Sequence, residues 1–322
     1  FATGDDCISI KSGRDLEGLQ KMIPSKNIVV QNVRFLADDT IALGSEASGG
    51  VRNIFIENSE GTYLRKGFYF KANKNRGSHF EHIRMRNLTY GDLADVPENR
   101  RKLTMIEVTT NYDSTGVEYN RDPEFKDIRL ENFIGGTSIN PLTLDGTDKI
   151  PLKDFVFDNV HLSAGEKPNT FNFVDLATMH FRNVTVDNSP LEAFVDGGQD
   201  STIIPQSTNT PPDVYAGEEN ILSLSHGNSL TFSGDVIDAE NDPMTFQWEA
   251  VPANAEAVSM GEDANGKNVN YPFGDASTVR FSNPTALATE VTFKKPGTYR
   301  LRLNVNDGQA TGYHTVFTEV RQ

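Results

Sequence analysis

Ile28-Val29-Val30-Gln31-Asn32-Val33 sets a pattern of apolar, any, apolar, any, Asn, apolar that decides how the first two-thirds of this chain are read. It returns as Ile54-Phe55-Ile56-Glu57-Asn58-Ser59, Ile83-Arg84-Met85-Arg86-Asn87-Leu88 and Ile128-Arg129-Leu130-Glu131-Asn132-Phe133. Two more copies follow, Phe155-Val156-Phe157-Asp158-Asn159-Val160 and, more loosely, Met179-His180-Phe181-Arg182-Asn183-Val184. Period-two alternation marks short strands with one face buried. The asparagines lie 26, 29, 45, 27 and 24 residues apart. Repetition at that interval means stacked units, none able to bury its own face alone. A unit so short holds about three brief strands and their turns, with no room for a helix, which excludes a leucine-rich repeat. The expected architecture is an all-β, right-handed parallel β-helix. Each Asn sits at a turn, tolerates left-handed geometry, and can bond its equivalent one coil away. The 45-residue interval is a coil plus an insertion, Tyr90 to Glu124, of the kind that walls a binding groove.

Composition limits the function classes. The 322 residues carry a net charge of -15, with 45 acidic and 30 basic side chains. That balance opposes phosphate recognition, so nucleic acid is excluded as a partner. No stretch approaches the roughly 20 apolar residues of a membrane span. The single Cys7 cannot form an internal disulfide. Residues 201–212 are rich in Ser, Thr and Pro and end in Pro211-Pro212, which favours an extended spacer. The expected organisation is therefore a β-helix over residues 1–204, a linker over 205–212 and a second domain over 213–322.

Three segments go beyond repeat structure. Thr3-Gly4-Asp5-Asp6-Cys7-Ile8-Ser9-Ile10 puts adjacent carboxylates at a strand edge, where neighbours can separate their pKa values into an acid and a base. Gly44-Ser45-Glu46-Ala47-Ser48-Gly49-Gly50-Val51-Arg52-Asn53 permits close backbone approach. Lys66-Gly67-Phe68-Tyr69-Phe70-Lys71-Ala72-Asn73-Lys74-Asn75-Arg76-Gly77 joins cations to aromatic rings, as binding of an acidic sugar requires. Asp5 to Gly44 to Lys71 runs 39 then 27 residues, near whole numbers of coils, so one groove can take all three.

Together these motifs resemble glycoside hydrolase family 28, the polygalacturonase family, over about residues 1–190. The resemblance implies inverting hydrolysis of α-linked galacturonate-type polymers without a required cofactor. It puts Asp5 in the general-acid place and Asp6 beside the activated water. It also implies that Lys71 meets the sugar carboxylate and that Tyr112 is a subsite tyrosine. The sequence departs from the family at defined places. Asp38 and Asp39 stand where the family has Gly-His-Gly, putting carboxylates among the substrate contacts. Tyr69 replaces an arginine, for which Arg65 or Arg76 is the expected substitute. The family's third acid belongs one coil before the Asp pair, so the resemblance places it in coils upstream of Phe1.

Residues 213–322 read as short strands with turn signals, a β-sandwich of immunoglobulin type, with Trp248 in its core. Asp238-Ala239-Glu240-Asn241-Asp242-Pro243, Pro296-Gly297-Thr298-Tyr299 and Asn306-Asp307-Gly308 resemble PKD-like or cadherin-like modules. Asp238, Glu240, Asp242 and Asp307, with Asp235 nearby, are candidate ligands for a structural calcium. The leading reading is a monomeric hydrolase of acidic polysaccharide. Substrate size places it outside the cell: secreted, periplasmic or on a bacterial surface. A non-catalytic carbohydrate-binding protein and a calcium-dependent polysaccharide lyase are the alternatives.

Overall fold

The apolar positions of the repeat stack as expected. In the computed structural model, Ile28, Ile54, Ile83, Ile128, Phe155 and Met179 stand in register on six successive parallel strands, and Val30, Ile56, Met85, Leu130, Phe157 and Phe181 form the next column. The structure describes residues 1–36, 38–62, 64–74, 76–91, 104–112, 122–163, 165, 167–195, 201–252, 259–262, 268–270 and 273–322. Most of the insertion expected to wall a groove, 92–103 and 113–121, lies outside the described residues.

Residues 1–208 form one unit and 209–322 another. In the first unit the chain alternates between two parallel sheets. Sheet A takes Ile8–Ile10, Asp38–Gly44, Leu64–Lys71, Thr104–Thr109, Asn140–Asp145, Thr170–Asn172 and Glu192–Val195. Sheet B takes Ser25–Gln31, Val51–Gly61, His79–Tyr90, Glu124–Thr137, Phe155–Ser163 and Met179–Val186. One buried cluster joins their inner faces. Sheet A contributes Ile10, Leu43, Phe70, Val108, Leu144 and Phe171 to it, a third column in register. Near-parallel rings continue the stacking, with Phe157 and Phe181 5.2 Å apart at 2°.

The asparagines form the expected ladder. Asn32, Asn58, Asn87, Asn132, Asn159 and Asn183 all have φ between 50° and 56°. Asn87 donates its amide to Asn58 at 3.1 Å, Asn132 to Asn87 at 3.1 Å, Asn159 to Asn132 at 2.8 Å and Asn183 to Asn159 at 2.8 Å. A second left-handed column, five residues earlier in each coil, consists of Asn27, Asn53, His82, Asp127 and Asp154, with φ between 53° and 67°. Asn53 donates to Asn27 at 3.0 Å, and His82 Nδ1 lies 2.8 Å from Asp127. Mixed residue types hide this column from a search for repeated letters.

Two expectations change. The first coil does contain a helix, Asp15–Lys21, because Ile8 pairs with Ile41 across 33 residues and that length exceeds three strands and turns. Nor is all of 205–212 a spacer, since Gln206 and Ser207 dock on the first unit. The Gln206 side chain accepts from the Val184 N–H at 2.8 Å and donates to its carbonyl at 3.2 Å, while Ser207 N–H donates to the Phe181 carbonyl at 2.6 Å. These two residues lie against Met179–Val186, a strand that Ser189–Pro190 also pairs.

The second unit has a four-stranded sheet, Asn220–Ser223, Thr311–Arg321, Gly297–Asn306 and Thr245–Ala250, and a three-stranded sheet, Ser229–Ser233, Ala288–Phe293 and Val279–Phe281. Both feed one core around Trp248, whose indole N–H donates to the Ala286 carbonyl at 3.1 Å.

Asn87→Ala removes an amide that both donates and accepts in the ladder and leaves a Cβ residue at φ 55°. It should cost about 2–4 kcal/mol, at about 1 kcal/mol per hydrogen bond and 1–2 for left-handed strain. Asn87→Gly keeps the backbone geometry and should cost less; equal losses in urea denaturation would show that the turn conformation contributes nothing.

Candidate active site

The outer face of sheet A carries a dense set of charges because alternate residues of its strands point away from the core. Gly44 pairs with Lys71 in the register of adjacent coils, as their 27-residue spacing suggests. A Cβ at Gly44 would lie 2.2 Å from the Lys71 carbonyl oxygen, and φ is 96°. This glycine therefore serves the approach of the next coil. Asp5 is not level with Gly44: the Cys7 N–H donates to the Asp39 carbonyl at 2.7 Å. The helix lengthens the first coil and brings the Asp pair to Asp38 and Asp39 instead.

Asp5, Asp6 and Asp39 bring carboxylate oxygens within 4.8 Å of one another. Two cations keep that cluster together. Lys71 Nζ donates to both oxygens of Asp6 at 2.8 Å. Arg65 forks onto Asp39 at 2.9 Å through Nε and Nη2, approaches Asp38 at 3.0 Å, and lies 3.8 Å from Asp5. Ser9 donates to Asp6 at 2.8 Å, and the Asp6 N–H donates to Asp5 at 2.8 Å.

Their environments separate the acids. Asp5 is open, its side chain 82% exposed. Burial pushes the Asp6 carboxyl up, but the hydrogen bonds and charge of Lys71, with help from Ser9, outweigh it and hold Asp6 below the usual carboxylate range. Asp39 is 2% exposed, and here burial wins over Arg65, raising its carboxyl above that range. Neighbouring carboxylates pushed in opposite directions are the arrangement from which acid and base roles come.

Aromatic rings flank Lys71. Its ammonium lies 4.9 Å from the Tyr69 ring centre and 5.6 Å from that of Tyr112, and the two rings meet edge to face at 5.7 Å. Tyr112 is 42% exposed. Lys66, absent from the sequence-derived set, pairs with Glu107 at 2.6 Å and sits 3.4 Å from the Tyr69 ring centre. Burial lowers the Lys66 ammonium, and Glu107 opposes the shift. Burial and Glu107 together raise the Tyr69 phenol well above its ordinary range. Glu107 was legible only through register, since it pairs with Tyr69 one coil away.

Arg76 stands apart from this set. It is buried, pairs with Asp15 in the first turn of the helix at 2.8 Å, and reaches Ser45 at 3.2 Å. It fastens the Gly-Ser-Glu loop, whereas Arg65 is the guanidinium that lies beside the acids. In the second unit, Asp307 accepts from the N–H groups of Gln309 and Ala310 at 2.7 Å, and from Asn209 at 2.9 Å. Asp238 accepts from the Asp242 N–H at 2.7 Å, Glu240 from Thr210 at 3.3 Å, and Asp242 from Gln309 at 3.4 Å. Among the described residues, only Asp5, Asp6 and Asp39 converge closely enough to share an ion. Arg65 and Lys71 already neutralise two of those three acids.

A family model described as glycosyl hydrolases family 28 matches residues 1–179, and a PKD domain model matches residues 220–320. A probable polygalacturonase of Vitis vinifera is 26% identical over 158 residues, covering 44% of this chain and 30% of that protein. A hyperthermoactive exopolygalacturonase from Thermotoga maritima shares the fold with a TM-score of 0.50 and 23% identity, over 58% of this chain and 40% of that one. The family 28 exopolygalacturonase of Yersinia enterocolitica gives 0.47 and 20%, over 64% and 34%. The chain thus spans less than half the length of the relatives it matches.

Arg65→Gln removes the guanidinium from Asp39 and Asp38 and should destabilise the first unit by about 2–4 kcal/mol, the cost of an uncompensated buried charge. Asp39→Asn added to it should restore part of that loss; if urea denaturation shows no recovery, the fork to Asp39 is not the contact that matters.

Proposed function

This chain belongs to glycosyl hydrolases family 28, and from that premise we propose that it hydrolyses an α-linked, uronate-type polysaccharide, pectin or a related acidic glycan, on the outer face of a right-handed parallel β-helix. The supporting observation is the approach of Asp5, Asp6 and Asp39 within 4.8 Å beside Lys71 and two tyrosine rings. The alternating parallel sheets suit a right-handed coil, the hand that such crossovers almost always take.

In the proposed mechanism the open carboxyl of Asp5 protonates the glycosidic oxygen as the bond to the anomeric carbon breaks. Asp6, held ionised by Lys71, accepts a proton from the water that attacks that carbon. Asp39 stands beside Asp6 and Asp5 as a third carboxyl, within 4.8 Å of both. Tyr69 and Tyr112 offer ring surface to a pyranose face. A lyase would need a free base to abstract a proton, and the two lysines here are engaged by Asp6 and Glu107. Polymers of this size are met outside the cell, where we place its action.

Asp5→Asn should lower the release of reducing ends from polygalacturonan by about 10²–10⁴-fold with the melting temperature unchanged. Undiminished turnover would remove Asp5 from the mechanism, and absorbance in the unsaturated-uronate band would replace hydrolysis by elimination. The nearest-oxygen distances are shorter than the carboxyl separations of about 6.5–9.5 Å usual for inversion. NMR of the first-formed anomer is therefore decisive: inversion releases the β-anomer, and an initial α-anomer means retention.

Lys71 also sets the acid limb of the pH profile. Activity needs Asp6 ionised and is lost as pH falls through its depressed pKa. Lys71→Met removes the hydrogen bonds and charge that depress it while burial remains, so the acid limb of kcat/KM should move to higher pH. A limb that stays in place would assign it to another group.

A further inference from the structure

The three described cations beside the acid cluster are each engaged by an acid of the same face. Lys71 is held by both oxygens of Asp6, Lys66 by Glu107, and Arg65 by Asp39 with Asp38 alongside. Beyond Lys71 the outer face of sheet A continues in two registered rows. One runs from Tyr69 to Glu107, Thr143 and Thr170, the other from Lys71 to Thr109, Asp145 and Asn172. These rows offer hydroxyls, one amide and two carboxylates, and no cation. Among the described residues, the side-chain partners of Asp145 are neutral: Thr109 at 3.2 Å and Asn172 at 3.0 Å.

Resting on the reading that the glycan lies along this face, we propose that the sugar units seated beyond Lys71 are uncharged. Among the described residues, a uronate there would face Asp145, whose partners are neutral, and Glu107, whose one cation, Lys66, is already paired with it. Two like charges about 4 Å apart repel by about 1 kcal/mol even in bulk water, roughly fivefold in affinity per contact. An uncharged unit meets no such penalty. Its hydroxyls donate to Asp145 and Glu107 and accept from Thr143, Thr170 and Asn172. A methyl-esterified uronate and a neutral sugar share this chemistry.

The test uses the full chain with three polymers: de-esterified polygalacturonate, highly methyl-esterified pectin, and a pectin fraction in which uronates alternate with neutral sugars. Binding is read by affinity electrophoresis and cleavage by reducing ends. One of the two less charged polymers should be bound about fivefold better than polygalacturonate at low salt, with the gap narrowing as salt screens the repulsion. Which of the two is preferred identifies the source of the uncharged unit. Asp145→Asn should raise polygalacturonate affinity about fivefold and so narrow its gap to the preferred polymer. Thr170→Lys, a cation added in the other row, should act in the same direction and keeps the test open if the first variant does not fold. Preference for polygalacturonate, with neither variant improving its binding, overturns the inference while the hydrolase reading stands. Binding in the expected order without cleavage upholds the inference and removes the hydrolase; no binding to any of the three overturns both.

Discussion

A left-handed turn that hydrogen-bonds to the same turn one coil away is the constraint on which the first unit depends. From Asn58 to Asn183, each asparagine of the ladder bears a steric cost at φ of 50–55° and offsets it with an amide bond to its neighbour. The second left-handed column, from Asn27 to Asp154, bounds the other end of each strand of sheet B. Two fixed corners five residues apart leave little freedom in the phase of a coil. That phase reaches sheet A as register, and register is what sets Gly44 against Lys71 and Tyr69 against Glu107.

On this frame the outer face of sheet A is an electrostatic compromise. Five carboxylates, Asp5, Asp6, Asp38, Asp39 and Glu107, meet three cations, Arg65, Lys66 and Lys71. Buried charge persists only when paired, and each cation here has a carboxylate within 3.0 Å. The pairing is uneven. A bidentate lysine leaves Asp6 acidic, whereas Asp39, more deeply buried among other acids, is pushed the opposite way despite its arginine. Unequal solvation of similar groups is what makes separate proton-transfer roles available to them.

Much of the fold was legible along the chain because a parallel coil turns three-dimensional stacking into sequence periodicity. The spacing of Asn32, Asn58 and Asn87 predicted both the strands and the amide ladder. The column of Asn27, Asn53, His82, Asp127 and Asp154 escaped notice because several residue types adopt the same left-handed turn. The helix Asp15–Lys21 escaped because the first coil departs from the usual length. Within the site, Asp5, Asp6, Tyr69 and Lys71 were legible from their chemistry and Tyr112 from the family resemblance, and these residues gather on one face. Arg76 sits away from the acids, held by Asp15 and Ser45, because a cation in a motif gives no sign of which neighbour will meet it.

By itself the sequence determined the repeat, the all-β class, the division into two units and the chemical types gathered near Asp5 and Lys71. These follow from alternation and spacing, which are local properties of a chain that stacks on itself. Only the tertiary structure decided that Asp39 joins the Asp pair, that Arg65 holds them together, and that Glu107 and Asp145 follow Lys71 along the face. Those neighbours lie 26 to 41 residues apart, and which of them meet depends on coil lengths that differ from one turn to the next.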